Sequence, residues 1–132
     1  MTVCVFVYGT LLPGDVRWHH LAPFVDGDGT PDSVTGRLFD TGQGYPAAIF
    51  DARAEPGGTI HGHTFTLSAH TSDTCLDVLD EVEGVVGGLY TRVSVTTRRG
   101  DTAWAYEYGH GLDLVEIESG DWPTHLARLR SG

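Results

Sequence analysis

Lysine and asparagine are absent from this 132-residue chain, and cysteine occurs only twice. Without lysine there can be no Schiff-base nucleophile, no anchor for pyridoxal phosphate and no Walker-type phosphate lysine. Cys4 and Cys75 are too few for a disulfide framework, and neither has a C-x-x-C partner. A Gly-x-Ser-x-Gly elbow is missing, and no serine has a catalytic local context. Long apolar runs are missing too. The first, Val3 to Val7, breaks at Tyr8-Gly9 and has no basic segment ahead of it, which argues against a signal peptide or membrane span. Positive charge is scarce: eight arginines against eighteen acidic residues leave a formal net charge of −10. That balance disfavours nucleic acid and anionic membranes as partners. These absences predict a soluble cytoplasmic protein in which any site for anionic groups would have to rely on backbone N–H groups or arginine.

What is present points to one domain spanning residues 1–132, since two cores of half this length would each be too small. The eighteen glycines are spread evenly, which suits short strands joined by tight turns. Val3 to Tyr8 is apolar on both faces, as in a central strand covered on both sides. The composition of Asp26 to Asp32 predicts a loop, and Ser33–Asp40 and Thr59–Leu67 predict strands. Those two strands share a local pattern in which Gly36 and Gly62 would let another backbone or a ligand approach closely. Thr41–Ile49 reads as a turn opening into a short strand, and Ala54–Gly58 as another turn. Thr71–Glu83 predicts the main helix, with Ser72 or Asp73 as its N-cap and Gly84 closing its C-terminus. A hairpin, Tyr90–Thr97 with Thr102–Tyr108, and a short helix over Trp122–Leu129 capped by Ser119 or Asp121 complete the reading. The expected class is α+β: a small mixed β-barrel or strongly curved sheet flanked by one main helix and short helices.

The helix carries the sharpest chemical signal. At 100° per residue Cys75, Leu76, Val78, Leu79 and Val82 share one arc, while Asp77, Asp80 and Glu81 fall on the solvent side. Glu83 lies roughly 40° from Leu79 and 20° from Leu76, inside the apolar stripe. Burial and the negative end of the helix dipole should both raise its pKa, which suits a proton-transfer group near neutral pH. The alternative is fraying at Gly84 that lets Glu83 swing into water. Tyr8-Gly9-Thr10-Leu11 ends the first strand abruptly, and its successive N–H groups can form a nest for a carboxylate or oxyanion, or simply a turn. His61 and His63 share a strand face, a geometry open to metal ligation with His19-His20, yet Thr64–Ala69 offers no carboxylate to complete a site; outward-facing histidines are the alternative. Cys4 reads as a small core residue. Tyr90, Trp104, Tyr106 and Tyr108 could wall a pocket or be plain core.

Taken in order, these segments resemble the γ-glutamylcyclotransferase-like family, which includes the AIG2-like proteins. The matching stretches are Val5-Phe6-Val7-Tyr8-Gly9-Thr10-Leu11, Gly44-Tyr45-Pro46-Ala47, Ile60-His61-Gly62, Leu79-Asp80-Glu81-Val82-Glu83-Gly84, Tyr90-x-Arg92 and Ala103 to Tyr108. The resemblance implies a small β-barrel flanked by helices and a cofactor-independent cyclisation of a γ-glutamyl group to 5-oxoproline, with release of an amine or amino acid. It implies Glu83 as the catalytic glutamate, Tyr8, Gly9, Thr10 and Leu11 as the substrate-binding loop, and Tyr90 as an aromatic beside the pocket. Tyr108 is the second implied aromatic, with Tyr106 the alternative because strand alignments slip by a pair. Its partner would be a small γ-glutamyl molecule, and its site would hold no metal. The chain departs from many relatives in carrying Leu12-Pro13-Gly14 where they have a basic residue. Two other readings compete: a non-catalytic binding or regulatory domain with the same pocket, and a metal-dependent hydrolase using His61 and His63. Loops Asp15–Asp32, Thr41–Ala48 and Val85–Leu89 are the expected pocket walls.

Overall fold

A computed structural model describes residues 3–42, 44–50, 58–84, 90–108 and 114–131. Its strands are β1 (Cys4–Val7), β2 (Val25–Asp40), β3 (Pro46–Phe50), β4 (Gly58–Leu67), β5 (Tyr90–Thr96), β6 (Thr102–Tyr108) and β7 (Val115–Glu116). The helices are α1 (Trp18–Leu21), α2 (Ser72–Val82) and α3 (Trp122–Ser131), with a 3₁₀ turn over Ala22–Phe24. The strands form one mixed sheet in the order β3-β2-β4-β1-β6-β5, with β7 on β2. Among the described residues only the β1–β6 pairing is parallel. The sheet is nearly closed into a barrel, and side chains span the gap between its ends. Tyr90 Oη on β5 donates to the Pro46 carbonyl on β3 at 2.5 Å, and the Phe50 N–H on β3 donates to Glu107 Oε2 on β6 at 3.0 Å. Such bonds satisfy strand-edge groups that a ladder would otherwise serve.

β1 is central and covered on both faces, as its sequence predicts. Val5 and Val7 join Leu21, Phe65, Cys75, Leu76 and Leu79 under α2, whereas Phe6 and Tyr8 join Val34, Leu38, Ile60, Ala105 and Trp122 in a second cluster. The predicted close approaches occur at both glycines and are to backbone. A Cβ at Gly36 would stand 2.5 Å from the Ile49 carbonyl oxygen, and one at Gly62 would overlap the Val7 carbonyl. Cys4 is half-buried and packs against the second cluster, with its sulfur 3.9 Å from Thr66 Oγ1.

The expected loop over Asp26–Asp32 is instead part of β2, which runs unbroken for sixteen residues. Its turn-like composition marks a bulge. The pairing jumps from Asp26↔Thr66 to Thr30↔Thr64, so Gly27, Asp28 and Gly29 stand against Phe65 alone. Gly27 and Gly29 take φ of +93° and +75°, and the Phe65 ring fills the space a side chain at Gly29 would need. The ladder to β4 resumes beyond the bulge and holds the segment in the sheet.

Helix α2 forms as its periodicity predicts, but neither Ser72 nor Asp73 caps it. Thr71 occupies the N-cap without a side-chain bond, and Ser72 is buried in the first turn. Gly84 ends the helix at φ +74°, with its N–H on the Glu81 carbonyl. Asp80 is not a solvated acid. It is half-buried, accepting Tyr106 Oη at 2.7 Å and pairing with Arg92 Nε at 3.1 Å, so the solvent arc of α2 is narrower than the wheel implies. At α3, Asp121 is the cap: its Oδ2 accepts the Thr124 N–H at 3.0 Å. The predicted turn at Ala54–Gly58 lies outside the described residues up to Gly58, where β4 begins, and the wall Val85–Leu89 lies outside them entirely.

Candidate active site

The chain leaves β1 at Tyr8 and turns at once, the Leu12 N–H donating to the Gly9 carbonyl at 3.0 Å. Glycine is required at position 9 because a Cβ there would lie 2.5 Å from the Pro46 ring. This packing lets the loop lie against Tyr45-Pro46, at the start of β3. The loop, Tyr45, Pro46, Glu83, Tyr90 and Tyr106 together line a pocket. Residues far apart in sequence are thus gathered where β1 ends, beside the C-terminus of α2.

Glu83 is the C-cap residue of α2, its N–H on the Leu79 carbonyl at 2.8 Å. It does not fray into water; it is buried with Leu79, whose side chain anchors the last turn. Among the described residues no hydrogen-bond donor reaches its carboxylate. Burial pushes the Glu83 pKa up to about 7, against an opposing pull from the Arg17 guanidinium 3.7 Å away. Sequence periodicity located this carboxyl, and burial is the largest cause of its raised pKa.

Gly9, Thr10 and Leu11 are buried lining residues, and their N–H groups have no acceptor among the described residues. Three donors in succession without acceptors are the kind of group that can serve an anion without lysine. Tyr8 Oη donates to the Tyr106 carbonyl at 2.6 Å, which ties the start of the loop to β6. Burial, then nearby groups including Glu83, raises the pKa of the Tyr8 and Tyr90 hydroxyls above the ordinary phenol range. Both therefore stay protonated, as donors to backbone carbonyls. Of the two candidate aromatics on β6, Tyr106 lines the pocket. Tyr108 packs edge-on against Tyr90 with ring centroids 5.5 Å apart, behind the lining residues.

Arg17 was not singled out by sequence. It lies just before the four-residue helix α1, too short to leave a periodic trace, and its N–H donates to the Thr10 carbonyl at 2.8 Å. Its guanidinium stands 5.7 Å from the centre of the Tyr45 ring. A cation thus reaches the site despite the neutral Leu12-Pro13-Gly14 segment.

The histidines do not join it. His61 is exposed, while His63 is half-buried and stacked on Phe65, its Nδ1 without a partner among the described residues. No three His, Cys, Asp or Glu side chains converge into a potential metal site among the described residues. None of the described helices is long and apolar enough to cross a membrane.

A family model described as gamma-glutamyl cyclotransferase, AIG2-like, matches residues 5–124. A curated relative from Halalkalibacterium halodurans, whose name gives γ-glutamylcyclotransferase as an inferred activity, is 36% identical over 95 residues, 67% of this chain and 79% of its own length. A relative from Niallia circulans, named gamma-L-glutamyl-butirosin B gamma-glutamyl cyclotransferase, is 28% identical over 97% of this chain and 80% of its own length. The solved structure of YkqA from Bacillus subtilis superposes with a TM-score of 0.75 at 26% identity; the match covers 100% of this chain and 44% of that one.

Proposed function

This chain belongs to the gamma-glutamyl cyclotransferase, AIG2-like family, and we propose that it is an enzyme releasing 5-oxoproline from a small γ-glutamyl compound. The observation that carries the reading is Glu83, a buried carboxyl without hydrogen-bond donors among the described residues, titrating near neutrality beside a loop of unspent N–H groups. In the reaction the α-amine nitrogen attacks the γ-carbonyl carbon of the same glutamyl group, closing the five-membered ring. Confinement in the pocket holds the two ends of that group together, which supplies the proximity. Glu83 takes the proton that the α-ammonium must lose. It returns a proton to the departing nitrogen as the carbon–nitrogen bond to the amine or amino acid breaks. The N–H groups of Gly9, Thr10 and Leu11 hold the α-carboxylate or the developing oxyanion, and Tyr90, backed by Tyr108, walls the reacting group. No step calls for a metal or a cofactor. The free thiols of Cys4 and Cys75 fit a cytoplasmic setting.

The test is 5-oxoproline release from a panel of γ-glutamyl amines and γ-glutamyl amino acids. Release by the native protein and its loss in Glu83→Gln are expected. A folded native protein that releases product from no panel member overturns the reading and leaves a binding domain.

A further inference from the structure

Among the described residues the Arg17 guanidinium has only a loose ion contact with Glu83 and the face of Tyr45. Among the described residues it donates no side-chain hydrogen bond, and at 3.7 Å its contact with Glu83 is an attraction and not a bond. Other arginines are committed elsewhere: Arg37 to Glu116, Arg92 to Asp80 and over Trp104, and Arg98 to Thr59. Arg17 is nevertheless held in place, by its N–H on Thr10 and by the Tyr45 ring beneath it. A planar fork of unspent donors fixed at a pocket is suited to gripping a carboxylate through two bonds.

We infer that Arg17 is a specificity residue that reads a carboxylate on the leaving group, so that this enzyme prefers γ-glutamyl amino acids to γ-glutamyl derivatives of uncharged amines. The inference rests on the cyclotransferase reading and narrows it. Position favours the leaving group over the glutamyl arm. The arm folds back on itself beside Glu83, whose side chain is 11% exposed, and its own anionic centre faces the N–H groups of Gly9 to Leu11. The leaving group departs toward solvent. Arg17, at 32%, is the more exposed member of the pair, so the inference sets the departing group on its side. A carboxylate arriving there takes up the guanidinium that otherwise stabilises ionised Glu83.

Binding separates this inference from turnover. In Glu83→Gln, γ-glutamylalanine and γ-glutamylethylamine are titrated calorimetrically; the two ligands are of similar size, and only the first has a leaving-group carboxylate. The alanine compound should bind at least about tenfold tighter, the usual worth of a charge-assisted pair. Adding Arg17→Met, which keeps the aliphatic stem, should abolish the preference while leaving ethylamine-compound affinity unchanged. Arg17→Lys should recover part of it and guards against misfolding of the methionine variant. Equal affinity for the two compounds, a preference that survives Arg17→Met, or no binding of either overturns the inference. If the preference holds but the native protein releases no 5-oxoproline from either compound, the carboxylate site stands and the proposed turnover falls.

Discussion

Asp32 and Glu83 are equally hidden, each 9% exposed, yet their surroundings are opposite. Asp32, on the β2–β4 ladder, is saturated: Oδ1 accepts the N–H groups of Ser33 at 2.8 Å and Arg99 at 3.3 Å, and Oδ2 accepts Thr64 Oγ1 at 3.0 Å. The bond from Arg99 ties the β5–β6 turn to the sheet. Glu83, at the end of α2, receives none among the described residues and has a loose cation instead. Burying a carboxylate is costly unless donors replace water, so a protein that leaves one bare holds it there against its own stability. Asp32 is a carboxylate used for architecture, whereas Glu83 is the one for which we propose a proton-transfer role.

Substitution should break the symmetry of the pair. The largest effect is expected for Glu83→Gln, which keeps shape and removes the proposed proton shuttle: 5-oxoproline release should fall by about 10³-fold, measured as kcat/KM on the panel above. Asp32→Ala should do the reverse. It strands three donors and should lower unfolding free energy in urea by about 2–4 kcal/mol, with kcat/KM nearly unchanged at a temperature where the variant is folded.

The same two positions differ in the sign of their stability effects. Glu83 has a folded pKa of about 7 against 4.5 for the ordinary group, so the native state holds an extra proton between those values. Stability linked to Glu83 is therefore full below about pH 4.5 and is lost as pH rises through 7. Glu83→Gln should accordingly be more stable than the native protein at pH 8, by about 1–3 kcal/mol, with the gain gone near pH 4. The smallest effect belongs to the bonds that close the barrel. Tyr90→Phe removes the bond to the Pro46 carbonyl and should cost about 1 kcal/mol in the same urea experiment.

How much of this was legible in the sequence follows from the range of each signal. Helix α2, the β5–β6 hairpin and the doubly covered β1 are set by local periodicity and were read correctly. Glu83 was found by the same arithmetic, since one carboxyl out of phase with its helix is visible without a partner. Asp80 was misread because its partners, Tyr106 and Arg92, come from strands that no helical wheel contains. Asp26–Asp32 was misread because glycine and aspartate mark positive φ and bulges as well as loops, and only the pairing with β4 distinguishes them. Arg17 left no trace, because its role depends on a fold that brings it beside a residue 66 positions later.

The central claim is that the bare carboxyl at Glu83 moves the proton, and the pH dependence of kcat/KM for 5-oxoproline release tests it most directly. With a γ-glutamyl amino acid as substrate, the profile should fall on its acidic side with a midpoint near pH 7, as protonation of Glu83 removes the base. An acidic limb at pH 4–5, the range of an ordinary carboxylate, or a limb near 7 that persists in the residual activity of Glu83→Gln, would contradict it.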